Sequence, residues 1–111
     1  MATTADFHQE ALSLAGTSAV PDFDRTAYRV ARIYASLAPD GQTANLKLMP
    51  DQQEIWCALL PDALRPLANK WGQQGWTEAR LALIEPQSLR DLMAVAWCLS
   101  LPKTKSADQS R

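Results

Sequence analysis

Residues that carry chemistry are scarce in this chain. It has one histidine and two cysteines, too few for a Cys/His zinc site. Cys57 and Cys98 stand in separate apolar, helix-like stretches, which reads as two buried, reduced thiols. His8 has no nucleophile or carboxylate arranged around it, as a catalytic histidine requires, and reads as a surface helix residue. Asp22 and Asp24 read as a solvated turn. There is no phosphate loop, no Rossmann glycine pattern and no HExxH, so no enzyme, cofactor or metal is expected. No apolar run reaches the ~18 residues of a membrane span. The first residues, Met1 to Asp6, lack the basic region and apolar core of a secretion signal. The expectation is a cytoplasmic protein away from the membrane. Net charge is also lacking: the formal value is −1 over 111 residues, which opposes a strong electrostatic nucleic-acid binder.

The most informative stretch that is present runs Asn69-Lys70-Trp71-Gly72-Gln73-Gln74-Gly75-Trp76-Thr77. It holds two of the four tryptophans and two of the four glycines. Glycine frees the backbone where a side chain would clash, and tryptophan brings a large apolar body with one donor. This is a shaped turn that plants two indoles and runs into a strand. Charge is also unevenly spread. Residues 1–24 carry four acids and no base, residues 25–34 carry Arg25, Arg29 and Arg32 and no acid, and the stretch from Leu101 sums to +2. A near-neutral total conceals a local basic region.

Periodicity assigns the elements. Thr4 or Asp6 caps a first helix reaching Leu14, with Phe7, Ala11 and Leu14 on one stripe and Gly16 ending it. Pro21 to Asp24 is an irregular strand or turn. Residues 27–37 alternate and are rich in β-branched and aromatic types, giving two strands that reverse near Ala31 and Arg32. Pro39-Asp40-Gly41 is a turn. In Thr43–Leu48, Leu46 and Leu48 face a core while Asn45 and Lys47 face away. Pro50 opens a second helix with Ile55, Trp56, Leu59 and Leu60 as its apolar face. Pro61 and Pro66 bracket an irregular stretch, and Trp76–Leu81 is a last strand. Pro86 opens a final helix with Leu89, Leu92, Met93, Ala96 and Trp97 at three-four spacing, ended by Pro102. The result is an α+β domain, an antiparallel sheet flanked by helices in the order α-β-β-β-β-α-β-α, over residues 1–103. Residues 104–111 form a mobile polar tail.

Several stretches together resemble one family: Leu12-Ser13-Leu14, Tyr28-Arg29-Val30, Ile33-Tyr34-Ala35-Ser36-Leu37, Ala44-Asn45-Leu46-Lys47-Leu48 with Pro50-Asp51-Gln52-Gln53, Arg65-Pro66, the Trp71–Thr77 segment and Pro102-Lys103. In order and spacing they look like the MmcQ/YjbR family of small bacterial proteins. The first hairpin departs from it, with Arg32 near the place of a Gly-Lys turn. The resemblance implies a CyaY-like fold, similar to type III secretion chaperones. It also implies DNA binding, through likeness to a double-wing motif.

Two functions follow as expectations. In the first, a non-enzymatic protein binds duplex DNA weakly through phosphates, using Arg29, Arg32, Lys47 and Lys70. Tyr34, outward by strand parity, and Trp71 and Trp76 add a recognition surface. In the second, a protein-interaction module, which could be a dimer, uses the sheet or the Trp-Gly surface to hold a protein partner or itself. The bland counterpart of each site is a sheet face kept soluble by charge, and indoles that pin the turn onto the sheet. Trp56 and Trp97 read as core.

Overall fold

The computed structural model describes residues 2–101. The first helix, α1 (Thr4–Ser13), begins in a capping box: Thr3 Oγ1 accepts from the Asp6 amide and the Asp6 carboxylate accepts from the Thr3 amide. The cap is thus Thr3, one residue before the expected start, with Asp6 as its reciprocal partner. Phe7 and Ala11 are buried beneath this helix. Strands β1 (Ser18–Asp22) and β2 (Arg25–Arg29) form a hairpin, followed by β3 (Ile33–Leu37) and β4 (Thr43–Lys47). Helix α2 (Pro50–Leu59) has Pro50 in its first turn. A short β5 (Leu64–Pro66), a single-turn α3 (Lys70–Gln73), β6 (Trp76–Arg80), a 3-10 turn (Leu81–Leu83) and α4 (Pro86–Leu99) complete the chain. The expected order stands, with β5 and α3 added to it. Pro102 and the tail from residue 104 lie outside the described residues.

All six strands join one antiparallel sheet in the order β1-β2-β3-β4-β6-β5. Cross-strand registers give each face its composition. Tyr28, Ala35, Leu46 and Thr77 stand in one row, with Leu37, Ala44, Ala79 and Leu64 in the next, and all of these are buried. Helix α4 packs there through Leu89, Leu92, Met93 and Ala96. The Trp97 indole is half-buried rather than fully core, because its Nε1 donates to the Ala15 carbonyl at 2.9 Å near the rim. Among the described residues no helix covers the opposite face. Its middle row reads Ala27, Ser36, Asn45, Glu78, and the pairs Arg29–Ile33 and Lys47–Trp76 stand at one end. The edge strand β1 carries Pro21, which has no amide to offer a second chain.

Three further expectations about burial are corrected. Tyr34 is buried, not outward. Arg29 pairs with Ile33 and Tyr28 with Ala35, so Tyr34 is the extra residue of a bulge. The added residue breaks strict alternation and swings its ring to the helix side. There its hydroxyl shares a 2.9 Å hydrogen bond with Thr17 Oγ1 and reaches the Ala11 carbonyl at 3.4 Å. In α2, Ile55 and Leu59 are 58% and 65% exposed, while Gln53 is buried and Trp56, Cys57 and Leu60 are half-buried. The inward stripe is therefore Gln53, Trp56, Cys57 and Leu60. Both cysteines are free, as expected, but Cys57 is half-buried and Cys98 exposed.

Candidate nucleic-acid interface

The open sheet face gathers cations at one end. Arg29 closes β2, Arg32 lies in the three-residue loop to β3, and Lys47 closes β4. These positions fall at the same end of the neighbouring strands β2, β3 and β4. Burial, and then the nearby Arg32 guanidinium, lower the Lys47 ammonium below its ordinary pKa. Lys47 Nζ donates to the Gln74 carbonyl at 2.7 Å and the Leu48 carbonyl at 3.1 Å. Two of its three donors are thus spent on backbone, and its charge is fixed in place. Arg29 and Arg32 are exposed. The sheet partners of Arg29 (Ser18 and Ile33) and of Lys47 (Trp76) bear no carboxylate. Elsewhere on this face the charges are mixed. Arg65 pairs with Glu78 at 2.8 Å, and the Arg25 guanidinium lies along Ser36, with Nε donating to Oγ at 3.0 Å.

Lys47 also ties the basic end to the Trp-Gly segment, since Gln74 lies between its two tryptophans. That segment is held from below by Gln53. Its Nε2 donates to the Gly72 carbonyl at 3.0 Å, the Trp76 carbonyl at 3.0 Å and Thr77 Oγ1 at 3.2 Å. Asn69 caps α3 by accepting from the Trp71 amide. A Cβ on Gly72 would collide with the Leu67 carbonyl, and one on Gly75 with the Leu48 carbonyl. Gly75 also holds φ at +109°, a region that side chains rarely adopt. The two glycines are required by close backbone approach.

The structure brings Arg29, Arg32, Lys47 and Trp76 to one end of the open face. It does not bring Tyr34, which is core. Lys70 is exposed on α3, at the start of the same segment. Trp71 is 49% exposed and Trp76 half-buried. Gln53 went unrecognised in the sequence, although its spacing to Trp56, Cys57 and Leu60 marks a helical stripe. Phe23 also went unrecognised: it is fully exposed at the β1–β2 tip with φ +59°. Among the described residues no group of three or more His, Cys, Asp or Glu is placed to hold a metal ion. No helix of the described residues is long and apolar enough to cross a membrane.

No protein-family model matches the sequence, and no curated protein does. Solved structures are similar to it. One is the crystal structure of a Deinococcus radiodurans protein carrying the DUF419 domain, with a TM-score of 0.77 at 20% identity over 97% of this chain and 84% of that one. Another is a Pseudomonas syringae structural-genomics protein, with a TM-score of 0.66 at 17% identity over 86% of this chain and 97% of that one. At these identities the likeness is one of fold: this chain shares the α+β architecture of a DUF419 protein.

Proposed function

We propose that the chain is a cytoplasmic, non-enzymatic member of the MmcQ/YjbR family. In this reading it binds DNA weakly, with little sequence preference, through phosphate contacts at the basic end of its open sheet face. The observation that carries the proposal is the convergence of Arg29, Arg32 and Lys47 from separate segments at a sheet position without a carboxylate. Exposed guanidinium groups suit phosphate oxygens through paired N–H donors. Lys47 serves mainly as a fixed charge, because its ammonium already serves two carbonyls. Lys70 adds a solvated charge on the adjoining segment. The net charge of −1 limits long-range attraction, so binding is weak. Fluorescence anisotropy with a labelled duplex at low salt tests this. The native protein binds, and Arg29→Ala/Arg32→Ala/Lys47→Ala loses most of that affinity. A triple variant that binds like the parent contradicts the site.

A protein-interaction module is the second reading. It is favoured by Ile55 and Leu59, exposed at i and i+4 on α2, and by the exposed Trp71. It predicts no salt-dependent DNA binding and concentration-dependent self-association or partner capture that Leu59→Lys weakens.

A further inference from the structure

We propose that the nucleic acid suited to this face is single-stranded: its phosphates lie against Arg29, Arg32 and Lys47, and one base stacks on the Trp76 indole. The inference rests on the phosphate-binding reading above and specifies its ligand.

Trp76 stands directly opposite Lys47 in the β4–β6 register, so the two side chains leave the same face side by side. The backbone beneath the indole is fixed, because the Trp76 carbonyl accepts from both the Leu67 amide at 3.1 Å and Gln53 Nε2 at 3.0 Å. Toward the middle of the face the floor is low. Ala27 and Ser36 are paired there, both buried between longer neighbours. A flat sheet with a held aromatic beside fixed cations suits bases that are already unstacked. A duplex keeps its bases stacked inside and offers such a surface only phosphates.

Groove reading needs something that protrudes, such as a helix or a two-stranded ribbon. The β1–β2 ribbon carries Phe23 at its tip between Asp22 and Asp24, and those carboxylates repel a phosphate-lined groove. The loop between β2 and β3 has three residues and a single cation, Arg32. Neither hairpin is built as a duplex-reading wing.

Three labelled ligands of equal length decide the matter by anisotropy at one low salt concentration: a 12-nucleotide oligothymidylate, an abasic strand and a duplex. The oligothymidylate is expected to bind about ten-fold more tightly than the abasic strand, the size of one base–aromatic stack, and more tightly than the duplex. Trp76→Leu is expected to abolish the difference between oligothymidylate and the abasic strand. Should that variant fold poorly, the abasic comparison on the unaltered protein still decides. Equal binding of oligothymidylate and abasic strand, or duplex binding at least as tight as oligothymidylate, overturns the single-strand inference while leaving the phosphate site intact. No binding of any ligand overturns both.

Discussion

Phe23 holds a left-handed backbone angle and gains no burial from its side chain, since it is fully exposed at φ +59°. A left-handed conformation costs an ordinary residue roughly 1–2 kcal/mol, while glycine gives back roughly 0.5–1 kcal/mol in chain entropy. Phe23→Gly is therefore expected to leave stability unchanged or raise it by up to about 1.5 kcal/mol, read from the urea midpoint. A clear loss would mean that the ring packs against something. The two tyrosines offer a second residue-scale test. Burial raises both phenols above the ordinary 10.0, with the Thr17 hydrogen bond partly offsetting this at Tyr34. The folded state keeps protons that the unfolded chain gives up. The tyrosine contribution to stability is therefore full below the ordinary value of 10.0 and falls as pH rises through the folded values. Ultraviolet titration should show neither phenol ionising at its ordinary pH in the folded protein. Two tyrosines that both titrate normally would place Tyr34 back on the surface. Strand parity alone put it there. A bulge adds one residue without any marker such as glycine, so the inward turn of Tyr34 was not legible in the sequence.

At the scale of elements, local pattern carried most of the fold. The capping residues, Pro50 and Pro86, the alternation in β4 and the three-four repeat of α4 each fix an element through near neighbours. Helix α2 shows where that logic ends. Counting apolar residues turned Ile55 and Leu59 inward, whereas the helix turns Gln53 inward to serve the carbonyls of Gly72 and Trp76. The Gln53, Trp56, Cys57, Leu60 spacing is a helical stripe too, and what favours it over Ile55 and Leu59 is a hydrogen bond to Gly72, 19 residues along the chain. Gln53→Leu should cost about 1–3 kcal/mol, because it removes the three hydrogen bonds by which Gln53 holds the Trp-Gly segment. Leu59→Lys, on the exposed stripe, should stay within about 0.5 kcal/mol. Urea unfolding of the two variants checks the pair, and the opposite ranking would restore the apolar-face reading of α2. Strand β5 was missed because its three residues, Leu64 to Pro66, are too few to show a period.

For the whole molecule, the candidate site is a product of topology. Arg29 and Arg32 were legible as a cluster because they are close in sequence. Lys47 and Trp76 join them only because β3, β4 and β6 lie side by side. The acids of residues 1–24 are divided between α1 and the β1–β2 hairpin, away from that end of the sheet. A chain of net charge −1 can thus present a basic end without being a basic protein. The measurement that bears most directly on this is the salt dependence of duplex binding. Three neutralised phosphates give a log–log slope of roughly −3. With Lys47 partly spent on backbone, the native protein is expected between about −2 and −3, and the triple alanine variant at Arg29, Arg32 and Lys47, which keeps only Lys70, no steeper than about −1. A native slope near zero, or a variant slope equal to the native one, would contradict the assignment of this face to phosphate binding.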